Sequence, residues 1–375
     1  MRILQIGKFY PLKGGVEKVI YALAEGLSQH GIRCDAMFAG CERQPRDFDL
    51  NDLCHIYLCQ NWKEVKATMI APSMITTLRK IQGNYDIIHI HHPDPMAALA
   101  LFLSGYKGKV VLHWHCDIVR QNRLLVLYNP LQKWLIRRAD IIVGTSPVYI
   151  HHSPALQRVQ DKCCYIPIGI YETTSDSKLV SDIKQRYSNH KIVFSLGRLV
   201  LYKGYEYLIE AAQYLSDDYV VLIGGTGNQF SKLQSLIEEK GLQDKVHLLG
   251  FIPEEQLGSY FEASHLFCLS SIDKREAFAI VQAKAMSHSK PVVSTNIPES
   301  GVNWVNKHGF SGLNVSPCDS RAIASAIEEV SSDEALYHRY CLQSLQHYEE
   351  HFRMSQMIEA HQKLYNKLLG KQKYI

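Results

Sequence analysis

The sequence predicts an α/β protein built of two doubly wound domains facing across a cleft. Short apolar runs alternate with helix-period stretches along most of the 375 residues, the pattern of parallel strands covered on both faces by helices. That alternation pauses at a polar, Ser/Asp/Lys-rich stretch, 169–189, and restarts at Lys191. Several apolar runs end in a glycine-rich or charged turn that opens a helix, which is where such sheets bind ligands.

In order, an apolar strand over 1–7 leads to the turn Lys13-Gly14-Gly15-Val16-Glu17, then to a helix through Val19, Ala22, Leu23 and Leu27 that stops at Gly31. Strand-like runs follow at 34–39, 55–58, 86–89, 109–114, 140–144 and 163–166, separated by helix-like stretches such as 65–81, 95–103 and 124–138. After the pause, strands are expected at 191–197, 220–223, 246–249, 265–269, 291–294 and 312–315, and the last 45 residues or so read as helical. The expected domains are 1–169 and 170–345. A helical segment, 346–375, is expected to pack back on the first.

Composition is that of a globular protein, with 46% apolar and 21% charged residues. No apolar run approaches the roughly 20 residues that span a bilayer, and the start does not look like a cleaved signal peptide. Ten cysteines without a Cys-x-x-Cys pair suit a reducing cytosol better than a disulfide framework. Residues 1–170 carry 20 Lys+Arg against 13 Asp+Glu (+7), and the remainder 21 against 24 (−3). That imbalance hints at an anionic surface or substrate met by the first half. It is not patterned for nucleic acid.

The stretch around which the site is organised is SSIDKREAFAIVQAKAMSHSKP, 270–291. Leu266-Phe267-Cys268-Leu269 reads as a buried strand, followed by a polar loop with Glu276 and a helix with Phe278, Val281, Ala285 and Met286 on its apolar face. Glu276 is placed to accept hydrogen bonds from sugar hydroxyls, or is a solvated loop carboxylate. Arg198 and Lys203 lie five residues apart on the turn after 191–197 and suit a diphosphate, the guanidinium as a fork and the ammonium as a point charge; two solvated cations are the alternative. Gly14-Gly15 let backbone N–H groups approach a phosphate, or make a plain tight turn. Gly224-Gly225-Thr226-Gly227 offers the same pair of readings. His115, at the end of the 109–112 run, orients a sugar hydroxyl, shares a proton near the reacting centre, or is structural. His89, His91, His92, His151 and His152 tempt a metal site, but they lack a defined acidic partner, and no metal is assigned. The stretch 120–138 mixes five cations with Leu, Val, Tyr and Trp; it lies on an anionic membrane face or is an ordinary half-buried helix.

Together, GGVE, HWHCD, the GR…KG pair, GGTGN, the LLGFIP run ending at Pro253 and REAFAIVQAKAM resemble the retaining GT-B glycosyltransferases of family 4 over nearly the whole chain. HWHCDIVRQ and REAFAIVQ look most like bacterial mannosyltransferases of O-antigen or capsule assembly. The resemblance implies two Rossmann-like domains, 1–169 on the acceptor side and 170–345 on the donor side, and a hexose, most readily mannose from GDP-mannose, moved with retention onto a polyprenyl-diphosphate-linked glycan at the inner face of the plasma membrane. It implies that Arg198 and Lys203 hold the donor diphosphate and that His115 contacts the transferred sugar. Glu276 would grip sugar hydroxyls, the backbone of Phe278, Ala279 and Ile280 would cradle sugar and phosphate, Gly225 would lie at the donor and Gly15 beneath it. No essential metal or other cofactor is implied.

Two positions depart from the family pattern. Lys284 stands where the family usually has a ribose-binding Glu, about 12 Å of helix beyond Glu276; it could still reach the donor's ribose region, but an ammonium cannot accept bonds from two ribose hydroxyls, so nucleotide affinity is weakened, another acceptor substitutes, or the chain is not a standard transferase. Ile168 stands where Asn is common. Rival readings are a UDP-sugar transferase, a nucleotide-sugar 2-epimerase, and a non-catalytic partner with a decayed donor site.

Overall fold

The computed structural model describes residues 1–12, 14–40, 46–65, 68–118 and 122–371. Lys13 of the first glycine turn and Arg120 of the basic stretch lie outside them. The chain divides into two compact units, Met1–Ile168 with Ser355–Ile375, and Gly169–Met354. Each is built on a Rossmann-like sheet.

In the first unit the strands are β1 (Arg2–Tyr10), β2 (Arg33–Gly40), β3 (Phe48–Asn51), β4 (Cys54–Gln60), a β5–β6 hairpin (Lys63–Val65 and Thr68–Ile70), β7 (Ile87–His92), β8 (Lys109–Trp114), β9 (Ile141–Gly144) and β10 (Cys163–Tyr165). The main sheet runs β10-β9-β8-β7-β1-β2-β4-β3, parallel except for β3. Its helices are α1 (Gly15–Gln29), α2 (Ser73–Ile81), α3 (Pro95–Ser104), α4 (Asn122–Arg138) and α5 (Pro147–His152). The helix expected over 65–81 begins only at Ser73, after Pro72; the residues before it pair as the hairpin. Three-residue strands are too short for periodicity to separate from a helix.

The second unit has β11 (Lys191–Leu196), β12 (Tyr219–Gly224), β13 (Val246–Gly250), β14 (Leu266–Leu269), β15 (Val292–Thr295) and β16 (Gly312–Val315), in the order β13-β12-β11-β14-β15-β16 and parallel throughout. Around them lie α6 (Ser177–Arg186), α7 (Tyr205–Ala211), α8 (Phe230–Glu239), α9 (Glu254–Ala263), α10 (Ile280–Ser287), α11 (Val302–Val305), α12 (Ser320–Val330) and α13 (Glu334–His351). The polar 169–189 stretch holds α6, which Asp176 caps through bonds from the Lys178 and Leu179 N–H groups and which buries only Ile183. So polar a helix carries little hydrophobic signal. The last helix, α14 (Met354–Leu368), contributes Ser355 onward to the first unit. Every cysteine among the described residues is free.

Both sheets wind outward from a switch point, β1/β7 in the first unit and β11/β14 in the second. Loops leaving two such adjacent strands diverge to opposite faces, so a crevice opens beyond their carboxyl ends. Gly14, Arg198, Lys203 and Glu276 lie on these loops, whereas His115 follows β8, Gly225 follows β12 and Lys284 lies on α10.

Candidate active site

In the second unit, the loops after β11 and β14 are sewn together. The Ile272 N–H donates to the Tyr202 carbonyl (2.9 Å) and the Ser270 hydroxyl to the Lys203 carbonyl (3.0 Å). Gly204 sits between them at φ +60°, where a Cβ would lie 2.3 Å from the Ser270 carbonyl oxygen. The contact therefore requires glycine. It brings Lys203 Nζ to 2.5 Å from Glu276 Oε2, with both side chains about nine-tenths buried. The Ser271 hydroxyl donates to the same oxygen at 2.8 Å. Among the described residues nothing bonds Glu276 Oε1. The Ser300 hydroxyl holds the Glu276 carbonyl.

Phe278 is buried against Phe352 and Trp304, so only its backbone is available to a ligand. Ala279 takes left-handed φ 61°, ψ 67° at the start of α10, whose amino end carries no side-chain cap. A non-glycine residue in that region costs about 1–3 kcal/mol. An uncapped helix amino end after a strand's carboxyl end suits an anion.

Arg198 is exposed and only reaches the Tyr202 hydroxyl at 3.5 Å. Arg275 forks onto Asp273 and lies over the Tyr202 ring, and Lys274 reaches Glu299 at 3.0 Å. Arg198 thus has no carboxylate partner among the described residues, whereas Lys203 is already neutralised by Glu276.

The glycines after β12 have a packing reason. A Cβ on Gly225 (φ +135°) would sit 1.8 Å from the Gly197 carbonyl oxygen, and one on Gly227 2.2 Å from that of Leu199. The turn lies directly on the loop that carries Arg198, joined by the Leu199 N–H to the Thr226 carbonyl (2.9 Å). Lys284, on α10, pairs with Glu254 at the start of α9, Nζ to Oε1 2.5 Å. A cavity of about 380 Å³ lined by Lys184, Lys191, Glu262, His265, Lys290 and Tyr337 opens at the amino ends of β11, β14 and β15, opposite the end where these sheets bind ligands.

In the first unit, Gly14 is the extended residue before α1, and the Glu17 carboxylate folds over it, 2.7 Å from where a Cβ would stand. Burial raises the Glu17 pKa against the opposing pull of backbone N–H groups and Lys8. Asp94, capping α3 through the Met96 and Ala97 N–H groups, is likewise raised by burial and pulled down by Lys8. Lys8, Glu17 and Asp94 are charged groups at the β1/β7 switch point that sequence reasoning passed over. Each is one residue on a different element, so no spacing links them.

His115 follows β8 and is 5% exposed. Burial, then His361 and Lys8, lower its pKa to about 3, so it is neutral at pH 7. It ends a stack of imidazoles in which His113 lies 4.1 Å from it at 6° and His91 5.1 Å at 19°. On the opposite face His92 stacks on Trp114 at 3.7 Å, and Asp117 accepts from Trp114 Nε1 and the Ser153 hydroxyl. His89, His91 and His113 offer ring nitrogens within 4.8 Å of one another. Their rings are stacked at 21°, 12° and 24°, so their in-plane lone pairs run side by side and do not converge as on a tetrahedral ion. Both His91 nitrogens are also engaged, with Gln5 and His115.

Comparison with known proteins accords with this geometry. The model for "Glycosyltransferase Family 4" matches residues 13–172 and that for "Glycosyl transferases group 1" matches 176–343. The chain is 30% identical over 373 residues to an O-antigen chain mannosyltransferase C of Escherichia coli, covering 98% of this chain and 99% of that protein. It is 28% identical to the D-rhamnosyltransferase WbpZ of Pseudomonas aeruginosa, covering 87% of this chain and 86% of that one. Its fold matches the crystal structure of Anabaena HepE in complex with UDP-glucose, with a TM-score of 0.77 and 19% identity over 98% of this chain and 100% of that one. The chain belongs to the family 4 glycosyltransferases and has their GT-B fold.

Proposed function

We propose that this glycosyltransferase moves mannose from GDP-mannose, with retention, onto a polyprenyl-diphosphate-linked glycan in O-antigen assembly. The observation that carries a nucleotide-sugar site is the buried Lys203–Glu276 pair beside the uncapped amino end of α10. A departing diphosphate gathers negative charge, which Arg198, Lys203 and the α10 N–H groups would stabilise without a metal. Glu276 Oε1 would accept sugar hydroxyls while Oε2 holds Lys203 and Ser271. His115 would contact the transferred sugar. Mannose is favoured by the 30% likeness to the Escherichia coli enzyme; a UDP-sugar donor is the second reading, favoured by the fold match to a UDP-glucose complex.

Among the described residues no helix is long and apolar enough to cross a membrane. Peripheral contact with anionic lipid is proposed for α4 and its neighbour α3, where Val126 (71% exposed), Leu127 (78%) and Phe102 lie exposed, as do Lys133 and Arg137 on α4. The test of the whole reading is incubation of the enzyme with GDP-[14C]mannose or UDP-[14C]glucose and a polyprenyl-diphosphate glycan. Label from GDP-mannose in the lipid fraction with an α-anomeric product supports it. Label only from UDP-glucose, or free sugar without transfer, refutes it.

A further inference from the structure

We infer that Gln5 and Tyr365 are positioning residues that fix the tautomer of His115, holding its proton on Nε2 and its lone pair on Nδ1. The inference rests on the reading of His115 as the group that meets the transferred sugar.

Hydrogen bonds order the protons along one buried chain. Gln5 on β1 is fully buried and stands in register with His89 on β7. Its Nε2 donates to Tyr365 Oη (3.2 Å) and to Cys34 Sγ (3.6 Å), and its Oε1 lies 2.8 Å from His91 Nε2. Tyr365 Oη also lies 2.6 Å from His89 Nδ1. An amide oxygen has no hydrogen to give, so His91 Nε2 must carry one. His91 is 1% exposed and burial holds it neutral, so its Nδ1 has only a lone pair. That lone pair lies 2.8 Å from His115 Nε2. His115 must then donate from Nε2, and because it too is neutral, its Nδ1 is left as an acceptor.

Reversing the Gln5 amide would reverse every donor in the line and put the His115 proton on Nδ1. Gln5 Nε2 faces both Tyr365 Oη, delivered by α14 from 360 residues away, and Cys34 Sγ, which leaves Oε1 as the atom turned to His91. An acceptor at Nδ1 takes the O–H of a sugar hydroxyl, whereas an N–H there would seek an oxygen lone pair. Fixing a tautomer through the other ring nitrogen is a general way of aiming a histidine.

The test is long-range 1H–15N NMR of the full-length protein labelled at histidine, with His115 assigned by loss of its signals in His115→Gln. The expected wild-type spectrum shows protonated Nε2 and bare Nδ1 for both His115 and His91; a protonated Nδ1 on His115 overturns the inference. Tyr365→Phe keeps the volume but frees the amide, and Gln5→Met removes it. Each should mix the His115 tautomers and lower kcat about tenfold while the donor KM changes less than threefold, a split expected when an interaction in the transition state is lost. A mixed spectrum with unchanged kcat would overturn the positioning role. Full-rate transfer by His115→Gln would overturn the underlying site reading, a failure kept distinct because the tautomer is read directly on the wild-type protein.

Discussion

Lys203 Nζ lies 2.5 Å from Glu276 Oε2, and the two side chains, 9% and 10% exposed, come from loops that leave neighbouring strands at the switch point of the second sheet. Desolvating both charges consumes most of their attraction, so the pair stabilises the fold little, yet removal of one partner strands the other. Glu276→Ala should destabilise by about 3–5 kcal/mol. Replacing both, as Lys203→Met with Glu276→Leu, should recover most of the melting temperature and none of the transfer activity. Thermal melts beside transfer assays separate the two; a double variant that regains activity would show the pair to be structural only.

Glu276→Gln keeps the side chain's shape and an acceptor for Lys203 and Ser271. It should lower kcat about 100-fold, the scale of a charged acceptor of sugar hydroxyls replaced by a neutral one (about 1.5–3 kcal/mol). Circular dichroism would confirm a native fold, and a kcat within threefold of wild type would contradict the assignment.

The Lys284–Glu254 pair, 15% and 52% exposed, is a surface-type ion pair worth roughly 0–1 kcal/mol. Lys284→Glu places two carboxylates together and should lower the melting temperature slightly, while adding Glu254→Lys should restore it. If nucleotide binding depended on a carboxylate at position 284, Lys284→Glu would tighten GDP; the pairing seen here predicts no gain. Calorimetry decides.

What was legible in the sequence was whatever is local. Arg198, Lys203 and Glu276 each follow an apolar run and precede a helix, so strand end and loop could be inferred together; the pairing of Lys203 with Glu276 needs the sheet order that sets β11 beside β14. The Gln5–Tyr365 bond spans 360 residues and joins an apolar-looking strand to an amphipathic helix, where no spacing marks it. Gly225 illustrates the opposite problem. Its glycine was visible, but that a Cβ would collide with Gly197 could be known only from the packing of two loops.

The imidazoles of the first unit set its acid sensitivity. Burial depresses His89, His91 and His113 well below 6.5, His92 and His115 to about 3 and His361 to about 4. Below pH 6.5 the unfolded chain takes up protons that the folded one refuses, so stability falls as pH drops from 6.5 toward 4, by up to about 1.4 kcal/mol per pH unit for each group. Glu17 and Asp94, raised by burial, act in the opposite sense, favouring the folded state as pH falls through their raised range. Melting temperatures should drop steeply between pH 6.5 and 5, and less steeply in His113→Phe. A flat profile would contradict the neutral stack.

Arg138 must be left intact when membrane contact is tested, because its guanidinium donates to the Tyr106 and Gly108 carbonyls and faces Asp140. Lys133→Glu with Arg137→Glu should reduce flotation with anionic liposomes several-fold and leave the melting temperature within about 1 °C, as expected for exposed positions. Unchanged flotation would remove α4 from the membrane.

The central claim is a nucleotide-sugar site around Lys203 and Glu276, and calorimetric titration with GDP, UDP, GDP-mannose and UDP-glucose tests it most directly. The account predicts that GDP and GDP-mannose bind, that the UDP ligands do not, and that Lys203→Ala weakens GDP at least tenfold. Binding of no nucleotide by the folded wild-type protein, or GDP binding indifferent to Lys203, would contradict it.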